Sequence, residues 1–592
     1  MSHIISYLKV KNFKSIKEES FELANYTALV GYNNAGKSNI IESLQWLLKK
    51  TVLQESQFNN NEEPVEIIGK ISGISTEILE SLPTNHRASI ERFINNGELF
   101  IKRTQPTPSC PTGQIKLDVS LPLENIDEFE WESNPNGIDQ AMQSLFPDPI
   151  HIGAMEDAGE DVSKNKNTTT IGKLLAEIIE PFQTTYQTTV EEALSGIKNL
   201  LDSESTLRAE ELIQFDNDVN GKIETFFPGI NLKVHIPTPE IKEVFSKGTI
   251  KIFETDALQG KDISSFGHGA QRSVQMALIR HLADVRRANN NSVTNTLLLI
   301  DEPELYLHPQ AIEVLRDALK QLSTEGFQVI FSTHSPFMIT SKDVENTLLI
   351  RKNNDRGTYK RKSLKTAIST VFAANPSQLG TVFSISNSAQ ILFSEKVVLV
   401  EGKTENKILP GIIKKITGKT VGLHKTALVS MDGCTNTKKT MEVLEVMNIP
   451  TKCIVDFDFV CKEGIKQGFL DAADVDVLAC KTKLAELAAI HSIRLDGGWP
   501  TKKQSTMSAS EAFALLVQDP SIQTNLASLK VKMNAKNIYF WYKGDIEKHL
   551  NNISKDEVSW ATFTEKLEQE NIEVCLPTDH EEFRNLITWL FS

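Results

Sequence analysis

Hydrophobic and polar residues follow one another along this chain in a pattern of short strands and longer helices. Apolar residues form compact runs at residues 26–30, 296–300 and 328–331, each too short for a helix. Runs of this length are typical of parallel strands that are buried on both faces. Residues 65–123 alternate between apolar and polar, which predicts antiparallel strands, and residues 171–227 carry apolar residues at helical spacing.

A second set of such runs lies nearer the C-terminus. Apolar residues at 396–400, 452–460 and 538–542 alternate with helical segments, and acidic residues stand at or near their ends. The Ser/Asn-rich residues 383–388 indicate a connector, and the polar residues 164–170 indicate a loop. The pattern predicts an α/β chain divided into residues 1–160, a helical insertion at 161–230, residues 231–385, and a C-terminal α/β domain at 390–592.

Composition is consistent with two globular domains. The chain has 592 residues, 40% hydrophobic and 24% charged, and single cores rarely grow beyond about 300 residues. Its formal charge of −14 argues against a DNA-binding protein unless clustered metal-binding carboxylates account for part of it. The basic residues 351–352 and 356–365 either follow a phosphate backbone or form a solvated loop.

The six cysteines form no C-x-x-C pair, and no apolar run approaches 18 residues. We therefore expect reduced cysteines and a cytoplasmic protein that does not enter the membrane.

A phosphate-binding loop is expected directly after the first apolar run. The sequence reads G-x-x-x-x-G-K-S, with a strand before it and a helix after it. Backbone N–H groups and the positive end of the helix would face phosphate oxygens, Lys37 would reach the β- and γ-phosphates of ATP, and Ser38 would ligate Mg²⁺. The predicted nucleotide-binding residues of this loop are Gly31, Asn34, Gly36, Lys37, Ser38 and Asn39.

The two later apolar runs of the N-terminal half supply the remaining ATPase chemistry. Asp301 and Glu302 follow the run at 296–300, and carboxylates at the carboxyl end of a parallel strand face the nucleotide. Asp301 would hold the Mg²⁺ shell, and Glu302 would act as general base toward water. His334 follows the run at 328–331 and would contact the γ-phosphate; the alternative is a hydrogen-bonded core histidine.

These motifs resemble the ATP-binding-cassette ATPases of the SMC, Rad50 and RecF type. The resemblance implies that residues 264–272 form the cassette signature, which closes on the nucleotide of a second subunit, so a homodimer or higher homo-oligomer is expected. His268 stands between the two glycines, where the usual signature differs. A glutamine near the metal is also implied, with Gln57 or Gln54 in that role. The signature residues implied to bind nucleotide are Ser265, Gly267, Gly269 and Gln271.

The C-terminal half carries an acidic set. Glu401 ends one apolar run, and Glu405 one helical turn later can point to the same side. We predict that Asp456 and Asp458 share one face of a strand, with the phenylalanines 457 and 459 turned into the core. Two carboxylates about 4 Å apart repel by roughly 4 kcal/mol at an effective dielectric of about 20, which favours a bound divalent cation. Oxygen ligands indicate Mg²⁺ or Mn²⁺.

A last acidic pair, Asp545 and Glu547, follows a strand and a glycine turn and is predicted to complete a second metal site. Lys543 would neutralise a phosphate. The alternative for all three is a solvated strand end. Asp432 occupies a similar strand-tip position, with metal binding and a structural role left open.

A strand ending in Glu-Gly and a later Asp-x-Asp resemble the Toprim domain, and a cassette ATPase followed by Toprim resembles the OLD (overcoming lysogenization defect) nucleases. The fold implied is an SMC/RecF-like ABC ATPase domain with a helical insertion, followed by a C-terminal Toprim α/β domain. The insertion at 161–230 is implied to pair subunits; the alternative is a helical layer packed on its own sheet. A catalytic lysine near the C-terminus is also implied, with Lys543 and Lys566 as the two candidates. The resemblance implies an ATP-regulated, metal-dependent DNA endonuclease of anti-phage defence, with Glu401, Glu405, Asp456 and Asp458 as metal ligands. Its implied partners are DNA and a defence-system helicase or reverse transcriptase with its nucleic acid.

Two other functions stay open on the sequence. One is a non-nucleolytic, ATP-driven DNA-repair clamp or sensor that keeps the Toprim fold as a binding platform. The other is Toprim-based primer synthesis, which would require nucleotide incorporation.

Overall fold

The structure is a computed structural model, and it describes residues 3–120, 130–146, 149–153, 170–237, 251–254, 259–289, 295–340, 342–371, 388–431, 433–501, 507–551 and 553–592. Asp432, most of the predicted connector at 383–388 and most of the predicted loop at 164–170 lie outside these residues.

The strands of the described residues are β1 (Ile4–Phe13), β2 (Ile16–Glu22), β3 (Tyr26–Val30), β4 (Val65–Ser72), β5 (Glu98–Gln105), β6 (Lys116–Ser120), β7 (Trp131–Glu132), β8 (Ile150–Ile152), β9 (Lys251–Ile252), β10 (Lys261–Asp262), β11 (Thr296–Asp301), β12 (Phe327–Thr333), β13 (Leu348–Asn353), β14 (Gly357–Lys360), β15 (Lys396–Val400), β16 (Thr426–Ser430), β17 (Thr451–Val455), β18 (Leu495–Asp496), β19 (Trp499–Pro500) and β20 (Ile538–Phe540).

The helices are α1 (Lys37–Leu48), α2 (Thr76–Ser81), α3 (Thr84–Ile90), α4 (Ile138–Leu145), α5 (Thr170–Leu201), α6 (Glu210–Phe226), α7 (His268–Asn289), α8 (Pro309–Thr324), α9 (Leu364–Val371), α10 (Ser388–Phe393), α11 (Lys403–Thr417), α12 (Thr437–Val446), α13 (Phe457–Cys461), α14 (Glu463–Lys466), α15 (Val475–Ile490), α16 (Ala509–Gln518), α17 (Gln523–Asn534), α18 (Ile546–His549), α19 (Glu557–Gln569), α20 (Ile572–Cys575) and α21 (His580–Phe591).

The chain divides into two compact units. The first comprises residues 1–27 and 38–338, and the second comprises residues 28–37 and 339–592. Residues of the phosphate-binding loop therefore group with the C-terminal part of the chain. The domain boundaries predicted from the sequence stay a prediction.

In the first unit, strands β7-β6-β5-β4-β1-β2 form an antiparallel run, and β12, β11 and β8 pair in parallel. This confirms the antiparallel strands predicted between residues 65 and 123. Every residue of β11 and β12 is buried, as expected for parallel strands covered on both faces. The helices predicted at 171–227 are α5 and α6, which together span residues 170–226 apart from their connection.

In the second unit, β13 pairs in parallel with the end of β3 and antiparallel with β14. A separate parallel sheet of order β16-β15-β17-β20 lies in the C-terminal part. Its core joins residues of β15, β20, α11, α19 and α21, including Ile412, Trp541, Phe563 and Phe583. Because all four strands run in one direction, their carboxyl ends lie on one edge, where acidic side chains converge.

All six cysteines are free thiols, and every one except Cys434 is buried. No helix within the described residues is both long and apolar enough to cross a membrane.

Candidate functional site

The phosphate-binding loop lies between β3 and α1, as predicted. The Lys37 ammonium, which is 5% exposed, donates to the backbone carbonyls of Gly31 at 3.0 Å and Tyr32 at 3.3 Å. Asn34 has a φ of +65° and Gly36 a φ of +99°, so the loop needs a left-handed backbone at both positions. Asn39 donates through Nδ2 to the Ser15 hydroxyl at 2.5 Å, which fixes it on the first turn of α1.

The loop is held closely by the β13–β14 hairpin. The Thr358 hydroxyl donates to the Ala35 carbonyl at 2.9 Å, and the Tyr32 hydroxyl donates to the Lys352 carbonyl at 2.7 Å. A Cβ atom at Gly36 would lie 2.1 Å from the Thr358 hydroxyl oxygen. The hairpin therefore packs against the outer side of the loop and requires glycine there.

Asp301 and Ser38 come together as the sequence predicts. The Ser38 hydroxyl donates to Asp301 Oδ1 at 3.0 Å, and the Ser332 hydroxyl donates to the same oxygen at 2.8 Å. His151, on the neighbouring strand β8, has Nε2 at 3.7 Å from Asp301 Oδ2. Burial alone would raise the pKa of Asp301, but the nearby His151 ring and hydrogen bonds from Ser332 and Ser38 lower it overall. The carboxylate therefore stays anionic and suits a divalent cation.

Glu302 and His334 also lie together, since Glu302 Oε1 is 3.3 Å from His334 Nε2. Glu302 has a φ of +47°, an uncommon conformation for a residue with a side chain. Its backbone N–H donates to the Ser332 carbonyl at 3.2 Å, which holds this conformation at the end of β11. The arrangement can position water beside a carboxylate base.

Glu304 is a residue that the sequence reasoning did not assign. Its Oε1 accepts from the Thr333 hydroxyl at 2.7 Å and from the backbone N–H groups of His334 at 2.7 Å and Ser335 at 3.1 Å. Glu304 therefore fixes the segment that carries His334. The signal in the sequence was its place directly after Asp301, Glu302 and Pro303.

The proposed signature residues stand at the start of α7, as predicted. Gln271 donates to the Phe266 carbonyl at 2.8 Å, and the Ser265 hydroxyl donates to the Asp262 carbonyl at 2.5 Å. Gly267 has open space where a Cβ would stand, and Gly269 approaches the Tyr306 carbonyl. The His268 ring stacks on that of Tyr306, with centroids 5.4 Å apart. The nucleotide-binding role of these residues stays a prediction.

Arg272, the last residue of the predicted signature, was given no role of its own from the sequence, and it links the start of α7 to the end of β11. Its guanidinium donates to the carbonyls of Asp301 at 3.1 Å and Glu302 at 2.9 Å. Gln57 lies in a short 3₁₀ turn, where its side chain accepts from the Gln54 backbone N–H at 2.9 Å, so its role at the metal also stays a prediction.

The acidic set of the C-terminal sheet comes together at the carboxyl ends of β15 and β17. Ligand oxygens of Glu401, Asp456 and Asp458 all lie within 4.8 Å of one another. Glu401 follows β15, and its Oε2 accepts from the Asp456 backbone N–H at 2.9 Å. The two strands pair directly, which is why residues 55 positions apart meet.

The prediction that Asp456 and Asp458 share a strand face is wrong. Strand β17 ends at Val455, Asp456 is the N-cap residue of helix α13, and Asp458 stands in the first turn of that helix. Their carboxylates nevertheless lie together, because a cap residue and a first-turn residue both surround the helix start. Phe457 and Phe459 are buried, as predicted.

The electrostatics of this cluster favour a cation. Burial, followed by the charges of Glu401 and Glu405, raises the pKa of Asp456 well above its ordinary value. Burial also raises the pKa values of Glu401 and Asp458. Carboxylates held in this way accept a hard divalent ion in place of protons, and their oxygen-only donor set fits Mg²⁺ or Mn²⁺.

Glu405 and Glu547 line the same cavity, which measures about 380 Å³ and also involves Glu401 and Asp456. Glu405 Oε1 accepts from Trp541 Nε1 at 3.1 Å, and Glu547 Oε1 accepts from the Thr404 hydroxyl at 2.6 Å. Burial first, and then the charge of Glu547, raise the pKa of Glu405 to about 7. The cavity therefore offers further carboxylate oxygens beside the three-residue cluster.

Lys555 is a cavity residue that the sequence did not indicate. It lines the cavity, and its Nζ lies 3.2 Å from Glu547 Oε2. Burial alone would lower its pKa, but the charges of Glu547 and Asp456 raise it overall, so the ammonium stays protonated. No local pattern marks Lys555, because it lies in a turn before α19 rather than at a strand end.

Lys543 and Asp545 have other close partners. Lys543 Nζ donates to Asp579 Oδ2 at 2.6 Å. The Asp545 side chain accepts from the Lys548 backbone N–H at 3.2 Å, as the cap of α18, and from the Ser510 hydroxyl at 3.2 Å. The charge of Asp545 contributes to the raised pKa of Asp458. Catalysis by Lys543 and metal binding by Asp545 and Glu547 stay predictions.

Comparison with known proteins gives matches to both halves. Residues 26–340 match the family model described as an AAA domain, putative AbiEii toxin, Type IV TA system. Residues 392–458 match the model described as an overcoming lysogenization defect protein-like TOPRIM domain.

Three relatives illustrate the similarity, one over nearly the whole chain and two over about two thirds of it. The chain is 37% identical to the Old nuclease of Escherichia phage P2 over 590 residues, 99% of both chains. It is 22% identical to Endonuclease GajA of Bacillus cereus over 446 residues, covering 69% of this chain and 68% of that one. It is 23% identical to the OLD nuclease of Thermus scotoductus over 410 residues, covering 67% of this chain and 72% of that one.

Proposed function

This chain belongs to the OLD nuclease family, and on that premise we propose that it cleaves DNA at the carboxylate cluster of β15 and β17 under the control of ATP. The chain is an ATPase and an endonuclease. The proposal adds which residues carry each reaction and what the cofactors are.

The observation that carries the proposal is the convergence of Glu401, Asp456 and Asp458 within 4.8 Å beside a cavity of about 380 Å³. A bound Mg²⁺ or Mn²⁺ would lower the pKa of a coordinated water and neutralise charge on a phosphodiester. Glu401, Asp456 and Asp458 would hold one ion. Glu405 and Glu547 would hold a second or orient water. Lys555 would donate hydrogen bonds to a non-bridging phosphate oxygen, since its ammonium faces the same cavity.

The ATPase reaction would use the nucleotide-binding residues of the N-terminal half. Lys37 would leave the carbonyls of Gly31 and Tyr32 for phosphate oxygens. Ser38 and Asp301 would hold Mg²⁺. Glu302 would accept a proton from water, with His334 beside it.

We further propose that the protein works as a homodimer or larger homo-oligomer in defence against phage, with a helicase or a reverse transcriptase system as partner. The signature residues at the start of α7 would then close on the nucleotide of a second copy. The similarity to nucleases of phage and bacterial origin supports the defence role.

The test compares wild-type protein with Asp458→Ala and Glu302→Gln on supercoiled and linear DNA, with Mg²⁺ or Mn²⁺, with and without ATP. Asp458→Ala is expected to lose cleavage and keep ATP turnover, because Asp458 belongs to the metal cluster alone. Glu302→Gln is expected to slow ATP turnover by about 10²-fold or more while ATP still binds.

Circular dichroism and thermal melting of each variant control for folding. ATP-dependent DNA binding by the wild type without cleavage products would contradict the proposal and favour a repair clamp. Incorporation of labelled nucleotides would instead favour primer synthesis.

A further inference from the structure

Behind the acidic cavity lies a buried group of polar side chains centred on Asp579, the residue that precedes α21. His549 is completely buried, and Asp579 is 2% exposed. Asp579 Oδ1 lies 2.8 Å from His549 Nδ1, and Asp579 Oδ2 accepts from Lys543 Nζ at 2.6 Å and from the Thr578 hydroxyl at 2.7 Å. The Tyr542 hydroxyl donates to Asp579 Oδ1 at 3.5 Å. Asp579 therefore satisfies four separate partners with one carboxylate.

The hydrogen bonds of His549 define its tautomer. The Lys543 backbone N–H donates to His549 Nε2 at 3.2 Å, so this nitrogen carries no hydrogen. The hydrogen is therefore on Nδ1, which donates to Asp579. Lys543 is thus held to Asp579 twice, directly through its ammonium and indirectly through its backbone and His549. Burial alone would raise the pKa of Asp579, but these hydrogen bonds lower it overall, which keeps it an anion.

The turn that contains Lys543 encloses one of the metal-cluster residues. The Trp541 backbone N–H donates to the Val455 carbonyl at 3.0 Å, and the Phe457 backbone N–H donates to the Gly544 carbonyl at 2.8 Å. Val455 and Phe457 are the two neighbours of Asp456. The turn at 541–544 therefore fixes the backbone on both sides of Asp456.

The same turn leads directly to two other parts of the cavity. Trp541 donates to Glu405 at 3.1 Å, and its ring packs on the His549 ring with centroids 5.2 Å apart. Glu547 stands on α18, the helix that ends at His549. Displacement of the turn would thus move three carboxylates that line the cavity.

We propose that Asp579 is a positioning residue of the nuclease site, which fixes the turn at 541–544 and through it Asp456, Glu405 and Glu547. Lys543 then serves as the anchor of this turn rather than as a catalytic group. The inference rests on the proposed metal-dependent cleavage. Partners that orient metal ligands in this way commonly change metal affinity by about 10- to 100-fold when they are lost.

The first experiment measures Mn²⁺ binding without nucleotide, by electron paramagnetic resonance of the free ion, in wild type, Asp579→Asn and Lys543→Met. The relevant site is the Mn²⁺ whose binding disappears in Asp458→Ala. Asp579→Asn is expected to weaken that site about 10-fold or more, because an amide nitrogen cannot accept from Lys543 or Thr578. Cleavage should recover to within about threefold of wild type at saturating Mn²⁺, and ATP turnover should not change.

The matched control is Glu582→Gln on the same helix, α21. Glu582 is a carboxylate that pairs with Lys530 and Tyr539 instead of the turn. This variant is expected to bind Mn²⁺ as the wild type does, even if its melting temperature falls. Equal weakening of Mn²⁺ binding in Glu582→Gln and Asp579→Asn would overturn the inference, because the effect would then reflect general destabilisation.

Lys543→Met distinguishes an anchoring role of the lysine from a catalytic role. It also tests the inference if Asp579→Asn does not fold. The variant keeps the His549–Asp579 bond. Weaker Mn²⁺ binding, with cleavage restored at saturating Mn²⁺, supports the role of Lys543 as the anchor of the turn. Unchanged Mn²⁺ binding with cleavage abolished at every Mn²⁺ concentration would make Lys543 catalytic and overturn its assignment. A wild-type protein whose Mn²⁺ binding does not depend on Asp458 would overturn the proposed function itself.

Discussion

The carboxylates of the two sites differ in pKa, because burial, neighbouring charges and hydrogen bonds act on each of them differently. Glu401, Asp456 and Asp458 all have raised pKa values, because restricted access of water and nearby carboxylates disfavour their charged forms. Asp301 is also buried, yet two hydroxyl donors and the nearby His151 ring lower its pKa. The carboxylates of the cluster favour protonation until a divalent cation binds. The Asp301 carboxylate, in contrast, stays charged without a cation.

Replacing Lys555 with methionine should separate metal binding from catalysis. Its ammonium lies 3.2 Å from Glu547 Oε2 and partly neutralises the carboxylates. We expect Lys555→Met to lower cleavage by about 10²-fold, because a phosphate would lose a charged donor, while Mn²⁺ binds as tightly as before or more tightly. Cleavage rates and Mn²⁺ titration measure the two effects. Weaker Mn²⁺ binding in this variant would contradict the role given to Lys555.

The raised pKa of Glu405 predicts a dependence of stability on pH. Its pKa rises from an ordinary 4.5 to about 7, so the folded state binds a proton more tightly than the unfolded state. The stability that this proton gives is fully present below about pH 4.5 and is lost as the pH rises through about 7. A divalent cation replaces the proton, so the increase in melting temperature on adding Mn²⁺ should grow between pH 5 and pH 8.

Thermal melting with and without Mn²⁺ across this pH range measures that increase. Glu405→Gln is the control, since it cannot titrate and should flatten the pH dependence of the metal-free protein. If the rise in melting temperature on adding Mn²⁺ does not change with pH in the wild type, the raised pKa of Glu405 is contradicted.

At the level of elements, function lies where strands end and helices begin. Glu401 lies between β15 and α11, Asp456 between β17 and α13, and the phosphate-binding loop between β3 and α1. Within each sheet, parallel strands bring such junctions to one edge, and helix starts add unpaired N–H groups there. The β13–β14 hairpin adds a constraint of its own, because it packs against the phosphate-binding loop.

That constraint predicts the effect of Gly36→Ala. The new Cβ would stand 2.1 Å from the Thr358 hydroxyl oxygen, at a φ of +99° that favours glycine. We expect ATP binding to be lost, as measured with a fluorescent ATP analogue, while metal-dependent DNA cleavage without ATP keeps its wild-type rate. Gly113→Ala is the matched control, since nothing lies within 4 Å of its added Cβ. ATP binding by Gly36→Ala at wild-type affinity would show that the hairpin does not confine the loop.

At the scale of the whole molecule, the chain carries ATPase and nuclease chemistry on one polypeptide, and it also presents apolar surface that one copy leaves exposed. Leu207 is 64% exposed, Phe226 77% and Phe227 66%, all on or beside α6. Exposed apolar groups of this size favour association. A second copy is the partner that we propose for this surface.

The double variant Phe226→Ser/Phe227→Ser should therefore shift the protein toward monomer. We expect its ATP turnover per chain to fall, since the proposed signature would lose a second nucleotide to close on. Sedimentation velocity gives the oligomeric state over a range of protein concentrations, and Val531→Ser, which replaces another exposed apolar residue, is the control. A wild-type protein that stays monomeric at all concentrations, with or without ATP, would contradict this prediction.

Much of the fold and of both sites could be predicted because their signals are local. A phosphate-binding loop needs glycines and a lysine at fixed spacing, and a buried parallel strand needs a continuous apolar run. Lys37 therefore lies where the loop meets a helix, and Asp301 and Glu401 lie at strand ends, as predicted. Asp458 was assigned to a strand because a short apolar and acidic alternation fits a strand and a helix start equally well.

The sequence by itself determined the order of strands and helices, the phosphate-binding loop and the acidic strand ends, because each depends on neighbours within a few residues. Only the tertiary structure decided that Lys555 lines the cavity, that Lys543 pairs with Asp579, and that Arg272 holds the end of β11. Those contacts join residues 8, 36 and 29 positions apart in loops and helix ends, where chain folding and not local periodicity sets the distance.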